Sequence, residues 1–124
     1  MINFKKKSTI LLLLLGILIS LIGGSIVRMN AFEKSKMPIE LSSKTEKSVV
    51  FYRDDCSECQ SIFPLLYYHN LFKNDLVFVN MNQPLNRRYI QKYNLKSVPT
   101  IVKNDEHYSG TNKKKIRQLI HSKF

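Results

Sequence analysis

Val49-Val-Phe-Tyr-Arg-Asp-Asp-Cys-Ser-Glu-Cys-Gln-Ser-Ile-Phe-Pro64 contains both cysteines of the chain, Cys56 and Cys59, separated by Ser57 and Glu58. Residues 49–52 are β formers. From residue 56 or 57 to about 72 the apolar spacing becomes helical, with Ile62, Leu65, Leu66 and Phe72 near one face. A Cys-x-x-Cys pair at the end of a strand and the start of a helix suits thiol–disulfide chemistry. The positive end of the helix favours an anionic first sulfur, and the second cysteine is near enough to resolve a mixed disulfide. Pro64 falls inside this helix, where its missing N–H and its ring are expected to kink it.

Working outward, residues 76–79 (Leu-Val-Phe-Val) read as a strand covered on both faces. Asn82 and Pro84 mark a helix start, and Leu85, Tyr89, Ile90 and Tyr93 form its expected inner side. Residues 100–102 and 106–109 read as a hairpin around Asn104-Asp105, and Gly110 ends it. Asn112 caps a last helix with Ile116, Leu119 and Ile120 inward. Residues 39–41 suggest a short extra strand. The order β–α–β–α–β–β–α implies a parallel first pair with a right-handed crossover, followed by antiparallel strands.

Towards the N-terminus, residues 10–27 carry no charge and are dominated by Leu and Ile. As a helix they extend about 27 Å, enough to cross a bilayer core. Lys5, Lys6 and Lys7 precede them and only Arg28 follows closely, which places the N-terminus in the cytoplasm and the remainder outside. The apolar run is longer than a signal-peptide core and lacks a well-placed cleavage signature, so an uncleaved anchor is preferred. A secreted, cleaved form is the alternative. The chain of 124 residues thus divides into a cytoplasmic basic tail (1–9), a transmembrane signal anchor (10–27), a polar stalk (28–46) and one folded domain (47–124).

The formal net charge is +11, and residues 76–99 hold Arg87, Arg88, Lys92 and Lys96 without an acid. No nucleic-acid motif accompanies this charge, and an extracytoplasmic domain meets little nucleic acid. The basic surface suits anionic lipid or cell-wall polymer instead. A structural disulfide between Cys56 and Cys59 would close too short a loop to constrain the unfolded chain much. His69, His107 and His121 lack ligand spacing to the cysteines, so no metal site is expected.

Three marks together resemble the thioredoxin superfamily over roughly residues 47–124. They are Cys56-Ser57-Glu58-Cys59 after a strand, Pro64 five residues beyond Cys59, and Val98-Pro99-Thr100 before a hairpin, a glycine and a closing helix. The size, anchor and trimmed domain are also similar to small membrane-anchored thioredoxin-like proteins of Gram-positive bacteria, including accessory proteins of bacteriocin systems. The resemblance implies an α/β fold, a trimmed thioredoxin-like domain with a mixed central sheet and helices on both faces, behind one transmembrane helix. It implies a cis Val98–Pro99 peptide beside the cysteines, with Val98, Pro99 and Thr100 forming the substrate-binding loop. Several positions depart from the family pattern. Asp55 stands where the family has tryptophan, Val50 replaces its buried acid, and its first helix is missing.

The implied activity is extracytoplasmic, membrane-tethered thiol–disulfide exchange on exported proteins or peptides, with Cys56 and Cys59 catalytic. Glu58 is a candidate proton relay to Cys59 in place of the missing acid. Electrons would reside in the Cys56–Cys59 pair, without a separate cofactor. Expected partners are an exported client and a membrane redox protein, and the chain is expected to be monomeric. Asp54, Asp55 and Glu58, opposed only by Arg53, oppose a strongly stabilised thiolate and favour reduction or isomerisation over oxidation. The alternative function is a non-catalytic accessory module that binds a secreted peptide or membrane partner.

Overall fold

A computed structural model describes residues 3–43 and 45–122. Met1 and Ile2 of the expected tail, Lys44 of the expected stalk, and Lys123 and Phe124 at the end of the expected domain lie outside the described residues. The chain divides into two units, one ending at Phe32 and one beginning at Glu33. Helix α1, Phe4–Glu33, makes up the first, except that the last residue of the helix belongs to the second. Among the described residues it is the one helix long and apolar enough to cross a membrane. Its Leu and Ile side chains are exposed on every side, as a lipid-facing helix requires.

The second unit is a four-stranded mixed sheet in the order β2-β1-β3-β4. β1 (Ser48–Tyr52) is central and pairs in parallel with β2 (Leu76–Asn80). On its other side β1 runs antiparallel to β3 (Thr100–Lys103), which forms the hairpin with β4 (Glu106–Ser109). Asn104 takes a left-handed conformation in the hairpin turn, at φ 53°. All five residues of β1 are buried, which explains the uninterrupted run of β formers from Val49 to Tyr52.

Side chains alternate between two cores. Val49 and Phe51 point to one face, with Val79, Val102 and Tyr89. Tyr52 points to the other, where its ring lies 5.0 Å from Phe63 of helix α2 (Ser57–Lys73), and Phe63 lies 5.2 Å from Phe78. Helix α4 (Lys113–His121) begins at Asn112, whose side chain accepts from Lys115 N, and buries Ile116, Leu119 and Ile120. The rings of His69 and His121, 5.2 Å apart, set α2 and α4 side by side. Buried Lys103 donates from Nζ to the carbonyls of Ile120 and Ser122, placing a cation at the negative end of α4.

The opposite face departs from the sequence reading in two places. The expected helix after Asn82 is a 3-10 segment, Pro84–Arg88, followed by one helical turn, α3 (Tyr89–Lys92). Gln83, not Asn82, caps it by accepting from Leu85 N. A period near three turns Asn86 and Tyr89 inward together and leaves Leu85 and Ile90 exposed.

The expected stalk also differs. Helix α1 continues to Glu33, and residues 37–41 lie along the domain instead of forming a free linker. Residues 39–41 form no strand because side chains take their backbone groups. Ile39 N donates to Asn86 Oδ1 at 2.9 Å, Leu41 N to Tyr89 Oη at 2.9 Å, and Tyr89 Oη to Ile39 O at 2.7 Å. Asn86 also donates to Met37 O and Asn80 O, both at 3.0 Å.

Replacing the fully buried Asn86 removes the side-chain bonds to Ile39 N and Met37 O, and leaves Asn80 O with the bond from Gln83 N. Asn86→Ala is expected to lower stability by about 2–4 kcal/mol. It should also speed hydrogen exchange at the Ile39 amide relative to amides in β3. A urea midpoint and an exchange profile check both effects.

Candidate active site

The parallel pairing of β1 and β2 puts both C-terminal ends at one edge of the sheet, where the turn 53–56 leaves β1. Cys56 follows this turn as the N-cap of α2, with extended backbone at φ −106° and ψ 117°. Its Sγ accepts from Cys59 N at 3.2 Å, so the sulfur fills the capping position that a serine or aspartate oxygen commonly takes. Both cysteines are free thiols. Cys56 is partly exposed, whereas Cys59, one turn into the helix, is 1% exposed. Burial, aided by a hydrogen bond with Cys56, pushes the Cys59 thiol up to about 12. Cys59 is therefore a proton-bearing sulfur held behind an accessible one.

A polar network fixes the turn. Asn82 Nδ2 donates to Asp54 Oδ1 at 2.8 Å and to Asp55 Oδ1 at 2.9 Å. Asn80 Nδ2 donates to Asp54 Oδ1 at 2.9 Å, and Gln60 Nε2 to Asp54 O at 2.8 Å. Arg53 pairs with Asp55 through Nη2 at 2.9 Å and Nε at 3.1 Å. Burial raises the Asp54 carboxyl, but the bonds from Asn82 and Asn80 outweigh it, and the group sits below its usual range. Bonds from Asn82 and then Arg53 lower Asp55 likewise. Both remain anions near neutral pH. Above all, burial raises the hydroxyl of Tyr52, which donates to Glu33 O at 2.9 Å.

The Val98–Pro99 peptide is cis, and Pro99 is fully buried. Phe51 pairs with Thr100, so the same register one residue further sets Pro99 opposite Tyr52, at the edge that carries the cysteines. Pro99 O accepts from Gly110 N at 3.2 Å. Thr100 Oγ1 donates to Ser97 O at 2.7 Å and lies 2.6 Å from Ser109 Oγ, which ties the loop to the hairpin. Pro64 lies within α2, where Gln60 O lacks an N–H donor from position 64. Glu58 is exposed in the first turn of α2, where the helix dipole favours a carboxylate. Among the described residues, no three His, Cys, Asp or Glu side chains are grouped to hold a metal ion.

The sequence reading missed Asn80 and Asn82 as parts of this site. Their signal was the alternation Asn80-Met81-Asn82 directly after β2, because parallel strands deliver such residues to the same edge as the β1 turn.

A family model described as Thioredoxin matches residues 28–122. The chain belongs to the thioredoxin family. A crystal structure of a glutaredoxin from Archaeoglobus fulgidus matches with a TM-score of 0.53 at 22% identity, over 64% of this chain and 90% of that one. That likeness is one of fold. No curated protein matches the chain. The thioredoxin-like architecture is therefore shown for this family member, and with it membership of a thiol–disulfide oxidoreductase family.

In the dithiol form of this thioredoxin-family chain, folding keeps Cys59 protonated. That contribution is present below the ordinary thiol value of 9.0 and is lost as pH rises towards about 12. Stability is expected to begin falling between about pH 8 and 9.5, below the ordinary tyrosine value of 10.0. Cys59→Ala should flatten the fall. Urea midpoints of reduced protein across this range provide the check.

Proposed function

We propose that the chain is a membrane-tethered, extracytoplasmic thiol–disulfide oxidoreductase acting on exported proteins or peptides. The observation that carries this reading is the Cys56 sulfur at the start of α2, bonded to Cys59 N at 3.2 Å and backed by the buried Cys59. In the reducing direction, the Cys56 thiolate attacks one sulfur of a client disulfide. The client S–S bond breaks, and its other sulfur leaves as a thiolate that takes a proton. Cys59 then gives up its proton and attacks the Cys56 sulfur, releasing the second client sulfur. The client gains two electrons, and the chain is left with a Cys56–Cys59 disulfide. A membrane redox partner restores the dithiol, and no separate cofactor is needed. The reverse sequence oxidises a client.

Val98, Pro99 and Thr100 are assigned to holding the client strand. The long apolar α1 supports a single-pass anchor, and the lysines before it support a cytoplasmic N-terminus. The ionised Asp54 and Asp55 beside the pair support reduction or isomerisation over strong oxidation. Pro64 contributes by shaping α2, and Glu58 remains the assigned proton relay.

In the host cell, Cys59→Ala is expected to accumulate reductant-sensitive adducts joined through Cys56, and Cys56→Ala to accumulate none. The full-length reduced chain in detergent should also reduce insulin disulfides. An absence of both adducts and exchange with small dithiols would instead leave the binding-module reading. For Glu58, the expected result is an altered pH dependence of exchange in Glu58→Gln, and an unchanged profile removes it from the mechanism.

A further inference from the structure

Beside the site lies a cleft of about 480 Å³ that the exchange chemistry does not use. Arg53 lines one part of it and Val98 another, so it adjoins both the turn leading to Cys56 and the cis peptide. Its charge has one sign. Arg53, Arg87 and Lys96 contribute three cations, and no carboxylate lines it. Arg53 is engaged by Asp55, whereas among the described residues no carboxylate pairs with Arg87 or Lys96. Arg87 Nε donates to Met81 O at 3.3 Å, which anchors the guanidinium at the cleft wall. Met81, Ile90 and Leu95 supply an apolar floor, and Ile90 is 43% exposed.

We infer that this cleft selects clients with an acidic residue close to the reacting cysteine. The inference rests on the proposed exchange activity and names its substrate class. A client strand passing over Val98 towards Cys56 brings the neighbours of its cysteine onto the cleft. A glutamate or aspartate there meets Arg87 and Lys96, while its methylenes or an adjacent apolar side chain cover Ile90 and Leu95. A basic neighbour meets Arg87 and Lys96, whose charge no paired carboxylate among the described residues offsets. Selection by local charge is distinct from attraction to the chain's overall +11, and a control at a distant basic site separates them.

The test uses the full-length reduced chain in detergent and two peptide disulfides that differ only in Glu or Gln next to the cysteine. At low salt, kcat/KM is expected to favour the acidic peptide by about tenfold, shrinking as salt rises. Arg87→Gln with Lys96→Gln should bring the ratio close to one. Lys113→Gln with Lys114→Gln, which removes the same charge from α4, should preserve it. A Cys→Ser version of each peptide, followed by fluorescence anisotropy, reads the cleft without chemistry. Preferential binding of the acidic version without exchange of either disulfide supports the cleft and overturns the oxidoreductase reading. Equal rates and equal binding overturn the cleft. So does a preference that survives in the Arg87/Lys96 variant or is lost equally in the α4 variant.

Discussion

The Cys59 N–H to Cys56 Sγ hydrogen bond organises this domain. It makes the first sulfur the cap of α2 and puts the second sulfur one turn inside, against the core. A cap must have extended backbone and a helix that starts immediately after it. Both conditions depend on β1 ending at Tyr52 and on a turn of fixed shape between Arg53 and Cys56. The sheet therefore serves the helix start. Central β1 is buried along its length, and its parallel partner β2 ends at the same edge, so two strand ends are available to shape one turn.

That turn is held chiefly by neutral amides, with a single ion pair at its rim. Val50 is fully buried, so no acid lies in the core beneath the cysteines at that position. The charged support lies higher up, where Asn80 and Asn82 bridge from the end of β2 to Asp54 and Asp55. An amide can donate to one carboxylate and accept from Arg53 at the same time, as Asn82 does. A carboxylate in its place would repel Asp54 and Asp55. The network holds two anions close together because the groups between them are dipoles.

Much of this was legible in the sequence. β1, α2, β2, the hairpin and α4 appeared because β1 and β2 hold continuous apolar runs, the two helices bury residues at helical spacing, and the ends carry ordinary signals such as Asn112 and Gly110. The cysteine pair and Val98-Pro99-Thr100 appeared as motifs. Residues 82–93 were less legible because Asn86 is polar yet fully buried, against the usual rule, and Leu85 and Ile90 are apolar yet exposed. Residues 39–41 looked like a strand from composition alone. Their backbone partners are the side chains of Asn86 and Tyr89, far away in sequence, and no local pattern records such bonds.

The misread segment also builds the cleft. A period near three across the junction of the 3-10 turn and α3 produces two stripes. Asn86 and Tyr89 form the inner one, which binds residues 37–41 to the domain. Arg87 and Ile90, each one residue later, form the stripe that lines the space beside Val98. A long regular helix with Leu85 and Ile90 packed inward, as the sequence suggested, would have withdrawn Ile90 from that space and left Asn86 without its buried partners. The same local winding thus fastens residues 37–41 to the domain and sets a cationic wall with an apolar floor next to the cis peptide. Substitutions that restore a regular helix there should disturb both features together, because they share one backbone.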